Sequence, residues 1–242
     1  MASTSSTART AGLVYLIVVA AGIFSLAYVP SQLVVSGDAA RTVANISASP
    51  DLFRLGIAAA FACYVAFLVL PLVLYKLLSH VHRNAAVLMV VLAVTSVPLS
   101  LGNLVNKLDV LTLLSNKAYL VAYSPEQLAA MVMLSLARYG NGVLIAEIFW
   151  GLWLFPFGYL VFRSGMLPKI LGVLLMAGCF GYLVDVLGTT LFAGYASSDL
   201  ANFVTLPAAL GEIGTCLWLV LFGARNSVRG SSQPLAQTQS NA

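Results

Sequence analysis

The chain has 242 residues, of which 60% are hydrophobic and 8% charged, with a formal net charge of +4. A soluble domain carries about 45–50% apolar and about 25% charged residues, so this composition excludes an ordinary soluble protein and points to one embedded in lipid. Apolar runs of roughly the 20 residues needed to cross ~30 Å of hydrocarbon recur without the period-two alternation of barrel strands. The expected fold class is therefore all-α, a polytopic transmembrane helix bundle with about six spans.

Residues 1–11 read as a short polar tail. A first span covers about 12–35; its run from Gly12 to Val29 meets Pro30, Ser31 and Gln32, which gives the helix a reason to stop at Tyr28. Arg9 ahead of that run and Ser25-Leu26-Ala27 within it also fit a signal peptide, but the length of the run and the even count of spans favour a retained helix. Residues 36–54 form a polar outer segment rich in Ser and Ala, and a second, uncharged span covers about 55–75. His80 and His82 in the turn that follows read as a solvated HxH, so no metal is expected. A third span, about 84–106, contains Pro98, which is expected to kink it.

The outer segment 107–138 is half apolar. Within it Ser124-Pro125-Glu126-Gln127 has the form of a helix start, with Ser as cap, Pro in the first turn and Gln at the capping-box position. It predicts a helix that lies in the interface or leads into the fourth span. Spans at about 139–162, 170–190 and 205–224 complete a single domain over 12–224, and residues 225–242 read as a disordered polar tail. Cys63, Cys179 and Cys216 fall inside spans without CxxC spacing and read as small apolar residues.

With the amino terminus in the cytoplasm, the inside segments hold Arg9, Lys76, Arg83, Arg163, Lys169, Arg225 and Arg229 and no acid. The outside segments mix Arg41, Arg54, Lys107, Lys117 and Arg138 with acids. The positive-inside rule then places both termini in the cytoplasm and the excess charge beside anionic headgroups, with no need of nucleic acid.

The last three spans each contain one acid: Glu147, Asp185 and Glu212. A carboxylate in hydrocarbon costs at least ~2.5 kcal/mol on insertion scales, so each needs a partner, a proton or a function. At 100° per residue Glu147 shares a face with Gly140, Gly151 and Gly158, and Asp185 with Gly178, Gly181 and Gly188. Small-residue stripes mark close helix approaches, so the acids should face the bundle interior. Counted from the outer ends of their spans, all three fall at about one depth in the outer half. Asn103 and Lys107 from the polar face of span three, with Arg54, Arg138 and Asn141, complete the candidate site.

Two accounts of this layer stay open. It can be structural, with basic and amide side chains neutralising the acids, or it can be a polar cavity, open to the outside, that takes a small polar ligand or a cation. GxSxG, HExxH and Walker-type motifs are missing from the sequence, no cofactor is expected, and the reading leans away from an enzyme. Alternatives are a small-solute or proton-coupled transporter or channel, and a membrane-embedded enzyme acting on a lipid; membrane lipids are the one expected partner class in all of them.

A resemblance covers nearly the whole chain. The stretch Phe149-Trp150-Gly151-Leu152-Trp153-Leu154-Phe155-Pro156-Phe157-Gly158-Tyr159-Leu160-Val161 is followed by Arg163-Ser164-Gly165 and Leu167-Pro168-Lys169-Ile170-Leu171-Gly172. With Arg9, Gly12 and Tyr15, then Gly211-Glu212 and Leu217-Trp218-Leu219, it resembles a bacterial multi-pass membrane family catalogued as domain of unknown function 4386. The resemblance implies a prokaryotic inner-membrane protein of about six helices and transfers no activity or catalytic residue. Without it, the rings of Trp150, Trp153, Phe155, Phe157 and Tyr159 read as packing and interface anchors, with a ring-lined ligand pocket as the sharper possibility.

Overall fold

In the computed structural model, which describes residues 4–115 and 117–224, the described regular elements are all helical. They are α1 (Ser5–Leu33), α2 (Ala39–Ala48), α3 (Pro50–Leu78), α4 (Arg83–Leu113), α5 (Pro125–Ser164), α6 (Lys169–Leu191) and α7 (Asp199–Leu221), with short 3-10 turns at Ala118–Leu120 and Tyr195–Ser197. All but α2 are long and apolar enough to cross a membrane. The disordered tail expected over 225–242 lies outside the described residues.

Each spanning helix packs on its sequence neighbours, and α7 packs back on α1, so the six form a closed ring. Lipid tails are as apolar as leucine, so this association rests on close van der Waals approach at small residues. Gly12 abuts the backbone of Leu219 and Val220 where α1 meets α7, and Gly178 abuts Ala208 where α6 meets α7. Where α5 meets α6, a Cβ on Gly158 would stand 2.5 Å from the carbonyl oxygen of Gly172, closer than any side chain tolerates.

Two cores close the ring at different levels. At the end that holds the amino terminus, Tyr15, Leu70, Leu74, Met89, Trp153 and Phe157 fill the centre. At the opposite end a smaller core forms from Val29, Leu33, Ile46, Phe53, Val110 and Val132. The candidate site lies between them.

Several helices run further than their apolar spans. Of the tail expected over 1–11, residues 1–3 lie outside the described residues and residues 5–11 are the first turns of the α1 helix, because Ala8 and Ala11 are small enough to be buried in the bundle. Beyond Gly22, α1 does not stop at Tyr28 but continues through a π-turn over Ile23–Tyr28 to Leu33. The outer segment 36–54 contains α2, capped by the Asp38 carboxylate, which accepts from Arg41 N at 2.8 Å, and anchored by buried Thr42 and Ile46.

The segment 107–138 resolves into helix on both sides of a short connection. α4 continues to Leu113, and α5 starts at Pro125 in a complete capping box: Ser124 Oγ accepts from Gln127 N at 3.2 Å, and Gln127 Oε1 accepts from Ser124 N at 2.8 Å. α4 passes Pro98 and remains helical, and is interrupted instead at Leu104. Proline does mark two other interruptions. Pro156 has no N–H for the Leu152 carbonyl, and α5 breaks at Trp153; Pro207 stands in the same relation to Phe203, where the first part of α7 ends.

Candidate functional site

Inside the ring lie two adjoining chambers. The larger, about 530 Å³, is lined by Lys107 on α4, Tyr139 and Glu147 on α5 and Asp185 on α6, together with apolar residues from Leu26 to Val34 of the first helix and its exit. The smaller, about 340 Å³, is lined by Tyr15 on α1, Cys63 and Tyr64 on α3, Trp153 on α5 and Glu212 on α7. Leu26, Trp150 and Tyr182 line both and form the wall between them. Tyr182 therefore stands between Glu212 on one side and the Glu147 and Asp185 pair on the other.

Glu147 and Asp185 reach one chamber because the glycine stripes beside them set the helices close together. Gly151 meets the Cβ of Tyr182, Gly181 meets the Val204 carbonyl and Gly188 meets the ring of Tyr195. Gly140 has nothing within 4 Å of where its Cβ would be, because it faces the larger chamber. Tyr195, buried in the turn that follows α6, brings its hydroxyl beside Asp185 without closing a hydrogen bond of standard geometry.

The single cation of the larger chamber is held elsewhere. Lys107 is 4% exposed; its ammonium donates to the Ser25 carbonyl at 3.2 Å and stands 4.2 Å from the centre of the Tyr139 ring. Ser25 can accept because the helix is irregular there. The Val29 N–H is taken by Phe24 O in the π-turn, and Pro30 has no N–H to offer. A carbonyl left free in an apolar span needs a donor, and Lys107 supplies one.

Glu212 has a different partner. The Tyr15 hydroxyl donates to Glu212 Oε1 at 3.1 Å across the α1–α7 contact. By residue count from the helix ends nearest the amino terminus, Glu212 lies roughly 10 Å closer to that end than Glu147 and Asp185, at 1.5 Å per residue. The single layer expected from the sequence is thus two levels. The difference arises because α7 starts at Asp199, capped by Ser198, a turn and a half before the apolar run.

The other expected members lie apart from the chambers. Asn103 donates from Nδ2 to the Tyr139 carbonyl at 2.8 Å and accepts from Asn106 Nδ2 at 2.9 Å, and so ties α4 to α5 behind the chamber wall. Arg54 pairs with Asp51 at 3.2 Å on the exposed first turn of α3. Arg138 and Asn141 are exposed. Arg138 precedes Glu147 by nine positions, a rotation of about 180°, so the two point to opposite faces of α5. Among the described residues no Lys or Arg nitrogen lies within 4.0 Å of Glu147, Asp185 or Glu212.

Sequence reasoning missed Tyr15, Ser25, Tyr139 and Tyr182 as site residues. For Tyr182 a signal existed, since it precedes Asp185 by three residues and so shares its face. For Ser25 the signal was Pro30, five residues on.

The family model described as Domain of unknown function (DUF4386) matches residues 10–223. An uncharacterized protein of Archaeoglobus fulgidus is 36% identical over 83 residues, which cover 34% of this chain and 47% of that relative. The match therefore spans about half the relative's length. No solved structure matches the chain. The chain belongs to the DUF4386 family: the matched residues run from the second turn of α1 past the end of α7 and take in nearly the whole six-helix region.

Proposed function

We propose that this member of the DUF4386 family is a non-catalytic multi-pass membrane protein that binds a small cationic solute inside its helix ring. The observation that carries the reading is the lining of two adjoining chambers by three carboxylates, none of which is ion-paired among the described residues. Ionic partners that only fixed helix packing would have to reach the acids, and Arg54 and Arg138 face away from them. A buried anionic chamber with a sequestered lysine selects positive charge. The larger chamber lies in the half of the ring away from the amino terminus, and the positive-inside pattern of the basic residues supports a placement in the plasma membrane with that half toward the outside.

The test is thermal unfolding of the purified full chain in tetramethylammonium chloride and in sodium chloride at equal ionic strength. The expected result is a higher midpoint in tetramethylammonium for the parent and a smaller rise for Glu147→Gln and Asp185→Asn. Equal midpoints in the two salts for the parent would overturn the reading.

One observation favours a second role for the same site. α1, α4, α5 and α7 each depart locally from regular α-helical hydrogen bonding, at Ile23–Tyr28, Leu104, Trp153 and Val204–Thr205, while the backbone stays in the right-handed helical region, and locally irregular helices beside a central site occur in solute carriers. Uptake of radiolabelled tetramethylammonium into proteoliposomes, driven by an inside-negative potential, separates a carrier from a binding protein.

A further inference from the structure

The smaller chamber differs from the larger in its walls. Its one charged group is Glu212, and the rings of Tyr15, Tyr64, Phe67, Trp150, Trp153 and Tyr182 surround the remaining space. Those rings are held by other rings. Trp153 stacks on Phe157 with centroids 5.0 Å apart and makes a T-shaped contact with Phe67 at 5.1 Å, and Tyr64 stacks on Trp150 at 6.3 Å. Aromatic faces fixed in this way attract a cation within about 6 Å of their centroids, and most strongly one that has little hydration to lose. A small hard metal ion would need about six oxygen ligands in place of its water, which rings do not provide. An alkylated ammonium needs none. The chamber's 340 Å³ falls at the small end of the ~300–1,000 Å³ range of small-molecule sites.

The chamber also opens sideways. Ile23 and Ala27 on α1, and Ala209 and Ile213 on α7, line it and are exposed, Ile23 by 54% and Ile213 by 38%. In a membrane span an exposed apolar side chain faces lipid. The regular part of α1, up to Gly22, packs on α7, and the π-turn segment after it packs chiefly on α3, so the exposed lining residues Ile23 and Ala27 of α1 and Ala209 and Ile213 of α7 flank an opening between the two helices. The gap joins the aromatic chamber to the bilayer.

We infer that the smaller chamber receives the headgroup of an amphiphilic alkylammonium, held between the rings beside Glu212, with its chain leaving between Ile23 and Ile213 into the lipid. The inference rests on the cation-binding reading above and adds the ligand class and the route of entry. Lipid-side entry also explains why the cavity with the most apolar lining is the one beside the gap.

The experiment titrates the full chain, in uncharged dodecylmaltoside micelles, with 1-dodecylpyridinium and separately with 1-methylpyridinium, and reads the quenching of tryptophan fluorescence. Two of the chain's three tryptophans, Trp150 and Trp153, line the chamber. Saturable quenching is expected for both probes, with the dodecyl compound at least about tenfold tighter, a difference of roughly 1.4 kcal/mol. Glu212→Gln should weaken both probes by about tenfold. Ala209→Phe, which fills the gap from the lipid side, should weaken only the dodecyl compound. If the two probes bind equally in the parent, or if Ala209→Phe leaves the dodecyl compound unaffected, lateral entry is overturned and cation binding stands. If neither probe saturates, both readings fall. Should Glu212→Gln not fold, the contrast between probes in Ala209→Phe decides the matter alone.

Discussion

The Lys107 ammonium donates to the Ser25 carbonyl oxygen 3.2 Å away and so pins the irregular turn of α1 to α4. The bond exists because the Val29 N–H serves Phe24 O and Pro30 has none to give. Lys107→Met keeps most of the side-chain volume and removes the donor, leaving a buried acceptor unsatisfied at a cost of about 1–3 kcal/mol. The thermal midpoint should fall accordingly. Pro30→Ala restores an N–H to the turn, so the double variant should lose less than the sum of the two single losses by at least about 0.5 kcal/mol. Strictly additive losses would show that Lys107 does not act through the Ser25 carbonyl.

Neutralising the acids of the larger chamber should not cost stability. Glu147 and Asp185 share that chamber and have no basic group within 4.0 Å among the described residues. Removing one charge therefore ends a repulsion without stranding a buried cation. Glu147→Gln and Asp185→Asn are expected to unfold at the parent midpoint or above it, by up to about 2 kcal/mol, in sodium chloride at neutral pH. A loss of several kcal/mol in either variant would mean the carboxylate is an ionised structural partner, and the site reading would fail with it.

What could be read from the sequence was what depends on neighbours along the chain. The six apolar spans depend on local composition, and the Ser124–Gln127 capping box on a three-residue spacing. The inward turn of Glu147 and Asp185 followed from glycines at helical spacing. α2 is hard to read because four of its six apolar residues are alanines, which give it little hydrophobic signal, although Asp38 ahead of Ala39 is a usable capping signal. The Tyr15–Glu212 bond joins residues 197 positions apart and leaves no local trace. Depth alone points Arg138 to the site; the helical repeat already contains its rotation of about 180° from Glu147.

Two glycines two residues apart on α5, and so on nearly opposite faces of the helix, should respond oppositely to a methyl group. Gly142 lies against the Asn103 amide, which is held by bonds to the Tyr139 carbonyl and Asn106, whereas Gly140 faces open space in the larger chamber. Gly142→Ala must displace Asn103 and break its 2.8 Å bond to Tyr139 O, at a cost of about 1–3 kcal/mol. Gly140→Ala meets nothing and removes a glycine from a helix interior, so stability should rise by roughly 0.5–1 kcal/mol. Thermal unfolding of the two variants side by side checks the α4–α5 contact, and equal effects would contradict it.

Tyr15 tests whether Glu212 is anchored to α1. The Tyr15 ring is 1% exposed and packs against Trp153 and Phe157, so Tyr15→Phe keeps the packing and deletes only the hydroxyl that donates to Glu212 Oε1. Loss of a hydrogen bond to a charged group is worth about 1.5–3 kcal/mol, and the variant should unfold earlier by that amount. In Glu212→Gln the amide oxygen can still accept from Tyr15, so that substitution should cost less than Tyr15→Phe. Once the hydroxyl is gone, adding Glu212→Gln should cost little or restore stability, because the buried charge has already lost its donor. If Tyr15→Phe and Glu212→Gln instead add without coupling, the two side chains do not depend on each other, and α1 and α7 are held together by their other contacts, among them Gly12 against the Leu219 and Val220 backbone and the Cys216 thiol on the Gly12 carbonyl.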